Sequence, residues 1–259
     1  MSEDAKSFED RYRSAKFVDF WMSDERMEAA RTFWRQKLIS FLPFELTDGV
    51  HVLDLGAGTG KLSLEILKKY PNAYVTCHDF SEVMLSHARK QLADFESRTT
   101  FVQSDLRNTG WSQPIKGPFD AVVSSFVTHT LPERVKAIYQ ELFALISPGG
   151  LFLSCDSVSP SGPDLQQIVR RSQLIEYQDR IKARTGVERS LQEIEQRLRE
   201  RRSRYHAFFE GRDEMSSLST LTLANHMQWL TDAGFDEVDC LWRQTRTAVI
   251  ASVRHRAHG

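Results

Sequence analysis

"DLGAGTGKLSLEIL" (residues 54–67) joins an apolar run, "VHVLDL" (50–55), to a segment with helical spacing through three glycines at alternate positions. A buried strand that turns on Gly56, Gly58 and Gly60 into a helix brings bare backbone to the mouth of a sheet, where a ligand can meet it. The G-x-G-x-G spacing excludes two phosphate-binding arrangements. A dinucleotide fingerprint needs its third glycine one place later, where Lys61 stands, and a P-loop needs four residues between its outer glycines followed by Lys-Ser/Thr. Taken alone, the turn leaves two readings open: a ligand-binding loop, or a tight turn with no ligand.

Outward from the glycines the pattern repeats. "AYVTCHD" (73–79), "TTFVQSD" (99–105), "FDAVVSSF" (119–126) and "LFLSCDSV" (151–158) read as further buried strands. Between them lie helical segments: one capped by Ser81 and carrying Met84, Leu85, Ala88 and Leu92, and one opened by Pro132 and carrying Val135, Ile138, Leu142 and Leu145. Such alternation predicts an α/β fold, a parallel doubly wound sheet with helices on both faces. Two helix-like stretches precede it, the second over about 22–42. At "SPSGPDL" (159–165) the alternation breaks into two long helical patterns, 164–185 and 190–210, the second opened by a capping box of Ser190 and Glu193. A helix over 223–234, capped by Thr222, and two strands at 235–243 and 246–254 close the chain; the short turn between those strands requires an antiparallel hairpin. The implied division is N-terminal helices (1–45), a core domain (46–158 with 219–259) and a helical insert (159–218).

Composition narrows the partners. Hydrophobic residues make up 41% and charged residues 27% of 259, and the formal net charge is −1, so no global field draws nucleic acid or an anionic membrane. No run of eighteen apolar residues is present, and the charged N-terminus lacks an apolar signal core. Cys77, Cys155 and Cys240 stand singly in strand-like runs and read as core thiols of a reducing compartment, which together with the rest places the protein in the cytoplasm. No metal site is read.

Ligands of such sheets bind at the carboxyl ends of the strands, where three aspartates stand. Asp79 closes the second strand about twenty residues after the glycines, as a ribose-binding acid would. Asp105 closes the third, followed by Leu106, a pairing suited to an adenine amine beside an apolar wall. Asp54 closes the first, close enough to help hold an ammonium group. One such aspartate is usually a cap or a turn residue; three on successive strands point to an adenosine site.

With "VLDLGAGTG" (52–60), "VTCHDFSEVMLSHAR" (75–89), "QSDLR" (103–107), "FDAVVSSFVTHTLP" (119–132), "LISPGGLFL" (145–153) and the terminal hairpin, the chain resembles the class I S-adenosylmethionine-dependent methyltransferases over roughly 50–255, apart from the insert. The resemblance implies a seven-stranded, mostly parallel sheet and S-adenosylmethionine as cofactor. By position, Gly56, Gly58 and Gly60 admit the methionine and ribose portions, with Asp54 beside them. Asp79 binds the ribose, Phe80 and Met84 pack on the adenine, and Asp105 and Leu106 meet its edge. Ser124, Phe126 and His129 lie near the transferable methyl. Related small-molecule enzymes often carry a His-His-Leu-Pro segment where this chain has His129-Thr130-Leu131-Pro132. His129 has two readings, general base or hydrogen-bonding wall of the cofactor pocket, and Thr130 weights the second. Asp156 and Ser157 face the expected acceptor. Lys61, His78 and His87 read as surface residues. Trp111 reads as either a border of the site or a packing plug. Tyr12, Phe17 and Trp21 are positioned to close over the cofactor.

The insert reads either as a solvated, charge-rich helix pair or as a lid whose Tyr205, His206, Phe208 or Phe209 line the substrate pocket. Methyl transfer to a small-molecule acceptor is the leading expectation. The alternatives are action on tRNA or synthesis of a carboxylated cofactor for it, suggested by the Arg-rich insert and the C-terminal helix–hairpin, and a non-catalytic cofactor-binding protein whose insert forms a homodimer or partner interface.

Overall fold

The computed structural model describes residues 9–23, 25–208 and 221–256. In chain order, α1 (Ala15–Met22) and α2 (Glu25–Ile39) lead into β1 (His51–Leu55), α3 (Lys61–Lys69), β2 (Tyr74–Asp79), α4 (Glu82–Gln91), β3 (Thr99–Gln103) and β4 (Phe119–Ser125). There follow α5 (Val135–Leu145), β5 (Ile146–Ser157), α6 (Pro163–Thr185), α7 (Leu191–Phe208), α8 (Leu223–Asp232), β6 (Glu237–Gln244) and β7 (Thr247–Val253).

The strands form one seven-stranded sheet in the order β3-β2-β1-β4-β5-β7-β6. β1 pairs in parallel with β2 and β4, and β7 runs antiparallel between β5 and β6. The order reverses beside β1, which places the turn at Gly56 and the end of β4 at the topological switch point, where doubly wound sheets bind ligands. Val52, Leu53 and Leu55 are fully buried because helices cover both faces of β1. One core, under α5 and α8, packs Tyr139, Leu142, Phe152, Leu230 and Phe235; the other, under α2 and α3, packs Leu38, Ile66, Leu67 and Tyr70. The expected α/β class, the sheet and its terminal hairpin are all present.

Three boundaries differ from the sequence reading. α5 begins at Val135 rather than Pro132, because Thr128–Thr130 form a separate 3-10 turn anchored on β5. β5 begins at Ile146, which already pairs with Phe119 ahead of an irregularity at Ala121. α2 ends at Ile39. The capping residues do as their chemistry dictates: Ser81 accepts from Met84 N–H, Thr222 and Asn225 complete a capping box, and Ser190 exchanges hydrogen bonds with Glu193. α6 and α7 pack as a helical hairpin with Ile181 and Ile194 buried, and Gly186, at φ 69°, ends α6. Ser159, where the insert begins, bridges Thr222 ahead of α8, and its N–H donates to the Leu221 carbonyl.

Candidate active site

The three glycines do different work. All have positive φ (74°, 54° and 78°), a region open to glycine and strained for other residues. A Cβ on Gly58 would meet nothing within 4 Å, so its backbone faces open space as a ligand-contacting turn requires. A Cβ on Gly56 would come within 2.3 Å of Val127, and one on Gly60 within 3.1 Å of Ala88. Close approach at those two positions therefore serves the chain's own packing. Of the three, Gly58 is the one whose missing side chain would point into open space.

Asp79 lies beside that open backbone. Its Oδ2 accepts Gly58 N–H at 2.9 Å and its Oδ1 accepts Ser81 N–H at 2.9 Å, with Phe80 N–H also turned toward the carboxylate. Burial lifts its acid constant to about 6, only partly offset by the N–H groups of Ser81, Gly58 and Phe80. Asp54 is buried more completely. It accepts Ser63 Oγ at 2.6 Å, and burial, with Asp79 nearby, raises it to about 7. Its known contacts face α3 and Cys77, so the structure does not present it as an open clamp for an ammonium group. What the pair offers is a buried, proton-retaining corner that becomes strongly anionic near neutrality.

Asp105 departs from its expected role. Arg107 wraps it, with Nε at 2.9 Å from Oδ1 and a terminal nitrogen at 2.6 Å from Oδ2, and Arg13 adds a bond at 3.2 Å. These cations hold Asp105 below its ordinary value against the effect of burial. Its acceptor capacity is already used, so an adenine amine is not its partner in this arrangement. Phe80 likewise carries the guanidinium groups of Arg13 and Arg107 at 4.9 and 5.4 Å from its ring. Met84 and Leu106 are buried core residues behind this corner. Arg13, Arg107 and Asp10 were not singled out from sequence; an Arg two places after a strand-end Asp was the available signal.

The segment Glu9–Arg13 lies against α4, where Ser81 Oγ donates to the Tyr12 carbonyl at 2.5 Å. Tyr12 packs edge-on to Phe17 and Trp21. The N-terminus therefore covers the β2–β3 side of the sheet's mouth.

A second cluster closes β4 and β5. Ser124 is fully buried and donates to the Leu55 carbonyl, tying β4 to β1 rather than facing a ligand. Phe126 sits at φ 58°, an uncommon, strained conformation for a bulky residue, and directs the turn at 127–130. Asp156, expected to face the acceptor, is instead 1% exposed beneath that turn. Its Oδ2 accepts Thr128 N–H and Oγ1, both at 2.7 Å, and N–H groups of Val127 and His129. Its Oδ1 accepts Ser157 N–H at 2.7 Å and faces His129 Nδ1 at 2.6 Å. Burial alone would raise this carboxyl, but His129, Thr128 and the nearby His226 hold it at about 2. An ionised Asp156 only accepts, so His129 Nδ1 carries a proton toward it and Nε2 is left as the basic nitrogen. Among the described residues, no group hydrogen-bonds Nε2. Of the two expectations for His129, this geometry supports the base.

Other expectations resolve by placement. Lys61 pairs with Glu28 of α2 at 3.0 Å. His87 is partly exposed, with Asp19 at 4.0 Å. His78 is the correction: it is 1% exposed, bound to Ser104 at 2.8 Å and packed against Trp111 with the rings tilted, with burial lowering it to about 4. Trp111 is a buried plug. Phe209 and the side chains of Tyr205, His206 and Phe208 lie outside the described residues. No group of metal-ligating side chains is found among the described residues, and no helix is long and apolar enough to cross a membrane.

A family model described as a methyltransferase domain matches residues 52–150. Over that stretch the chain is similar to S-adenosylmethionine-dependent methyltransferases. The demethylmenaquinone methyltransferase of Leptospira interrogans serogroup Icterohaemorrhagiae serovar copenhageni is 33% identical over 137 residues, 52% of this chain and 54% of that protein. The chain thus spans about half the length of the curated relatives it matches. Among solved structures, an O-methyltransferase family protein from Burkholderia thailandensis superposes with a TM-score of 0.64 at 14% identity, covering 98% of this chain and 64% of the other. Human N-acetylserotonin methyltransferase in complex with SAM does so with a TM-score of 0.57 at 18% identity, covering 98% and 60%. These likenesses carry the fold. The methyltransferase domain match ends at Gly150, so Asp156, the insert and α8 lie beyond it.

Proposed function

We propose that this protein is an S-adenosylmethionine-dependent methyltransferase acting on a small-molecule acceptor, with His129 as the base. The observation that carries the reading is the pairing of Gly58, whose missing side chain would point into open space, with the Asp79 carboxylate held against its N–H. A ribose diol offers two hydroxyl donors to such a carboxylate. Asp54 and Asp79 together supply negative potential for a cationic cofactor.

The cofactor brings an activated methyl group on a sulfonium sulfur; the protein's task is to place the acceptor in line and exclude water. A hydroxyl acceptor arrives protonated, and Nε2 of His129 takes that proton while Asp156 stabilises the imidazolium formed. The insert, 159–218, serves as lid and substrate domain in this reading, since it starts directly after the carboxyl end of β5 and opens with exposed Leu165 and Ile168. A small-molecule acceptor agrees with the near-zero net charge and with the names of the relatives, among them the demethylmenaquinone methyltransferase above. tRNA action and a homodimer through the insert remain the competing proposals. A cytoplasmic location agrees with three free cysteines, two of them buried.

Calorimetric titration with S-adenosylmethionine and its homocysteine product tests the cofactor. No heat and no rise in Tm would remove the reading. A methyl-label transfer screen against a metabolite extract and total tRNA tests the acceptor, and label only in tRNA would overturn the small-molecule assignment.

A further inference from the structure

We propose that Ser63 on α3 and Cys77 on β2 are positioning residues for Asp54, a relay of donors from thiol to hydroxyl to carboxylate that sets how readily Asp54 takes up its charge for a cationic cofactor. The proposal rests on the reading of S-adenosylmethionine as the ligand of the glycine turn. Asp54, Ser63 and Cys77 are all buried, and the Ser63 hydroxyl donates to Asp54 Oδ2 at 2.6 Å. A hydroxyl has one proton, and here it is spent on the carboxylate. The 3.2 Å contact between Ser63 Oγ and Cys77 Sγ is therefore made with the thiol as donor. Cys77 has that proton to give, because burial pushes it up to about 12 and keeps it a neutral thiol.

The start of α3 explains why a carboxylate belongs at this spot. The helix opens after Gly60, which has no side chain to cap it, and Ser63 is its third residue, so the Ser63 N–H is one of the first-turn donors left without an intrahelical acceptor. Asp54, reaching across from β1, takes the place of the missing cap: it accepts the Ser63 hydroxyl, with the Ser63 N–H also turned toward it. The positive end of the helix favours its charged form. Burial works against the charge and raises Asp54 to about 7; Ser63 opposes this, and Asp79 on β2 adds to it. From α2, Arg35 favours the charge, but its guanidinium is bonded to Glu28 at 2.8 Å and to Glu65 of α3 at 2.7 Å. Lys61 at the start of α3 pairs with Glu28, and on the β4 side Asp54 stands beside the uncharged Val123. With these charges committed elsewhere, the relay through Ser63 is what offsets burial, and it sets the pH at which a cation held at the turn draws the proton off Asp54.

The test uses the full chain with carboxyl-13C-labelled aspartate, followed by carbon NMR across a pH titration, the Asp54 resonance being the one lost in Asp54→Asn. Ser63→Ala should raise the Asp54 midpoint, whereas Ser63→Thr, which keeps the hydroxyl, should restore it. Cys77→Ala should raise the midpoint less, and adding it to Ser63→Ala should move nothing further, because the thiol acts only through Ser63. By calorimetry, Ser63→Ala should weaken S-adenosylmethionine binding severalfold at about pH 6.5, with the difference closing at about pH 8.5, where Asp54 is ionised in both proteins. A Ser63→Ala protein of lower Tm with the Asp54 midpoint unmoved, the signature of packing alone, would overturn the proposal. So would additive shifts in the double variant, or an affinity loss equal at both pH values. The two levels fail separately: absence of S-adenosylmethionine binding by the wild type removes the functional reading, and the carbon spectra decide the relay.

Discussion

The two corners of the site each bury a strand-end carboxyl, and they set its charge in opposite ways. On the β1–β2 side, Asp54 and Asp79 form no ion pair among the described residues, so burial prevails over their few hydrogen-bond donors and they hold protons to about 7 and about 6. On the β4–β5 side, Asp156 is equally buried, yet five hydrogen-bond donors and the facing His129 ring bring it to about 2. Burial alone therefore says nothing about ionisation; the count and charge of the donors decide it. The first corner is left in need of a cation. The second already faces His129.

The largest expected effect comes from removing that saturation. Asp156→Asn should destabilise the fold by about 3 kcal/mol or more, because the donors of residues 127–129 lose a buried acceptor. Denaturant unfolding checks this; a loss below about 1 kcal/mol would mean that the second corner is not held by its carboxylate.

The glycine turn sharpens the contrast next. Gly56→Ala should cost about 2–4 kcal/mol, from positive φ and a methyl driven into Val127. Gly58→Ala has only the conformational cost, about 1–2 kcal/mol, but should lower S-adenosylmethionine affinity more than its stability loss accounts for. Equal effects of the two on binding would erase the distinction between packing glycine and ligand glycine.

Asp79→Asn should weaken S-adenosylmethionine binding about 10- to 100-fold, the worth of hydrogen bonds to a charged acceptor. Calorimetry reads this directly, and unchanged affinity would detach Asp79 from the cofactor.

The smallest expected effect is the pH dependence of the first corner. Asp54 and Asp79 bind protons more tightly folded than unfolded, so between about pH 4 and 7 their contribution makes stability fall as pH rises. Asp156, depressed in the fold, contributes stability above about pH 4 that is lost as pH falls toward 2. Cofactor affinity should rise severalfold from pH 5.5 to 7.5, with proton release visible as a buffer-dependent binding enthalpy. Asp54→Asn should flatten both the stability slope and the proton release; an unaltered slope would place the protons elsewhere.

Much of this contrast was legible in the chain itself. Strand–helix alternation, the glycine spacing and the capping residues Ser81, Ser190 and Thr222 act over a few residues, and their geometry follows from local backbone chemistry. The aspartates at strand ends were visible for the same reason. What each of them does was not. Asp105 is claimed by Arg13 from ninety-two residues away, Asp156 turns inward beneath a 3-10 turn, and His78 is buried although its strand ends at the sheet's edge.

Sequence by itself thus determined the α/β sheet, the ligand-facing turn and the adenosine-site pattern, because periodicity and glycine stereochemistry are local. Only the tertiary structure decided which carboxylates are spent on the chain's own donors and which are left for a ligand. A carboxylate's protonation and free lone pairs depend on every group packed around it, and those groups come from α5, α8, β5 and the N-terminal segment alike.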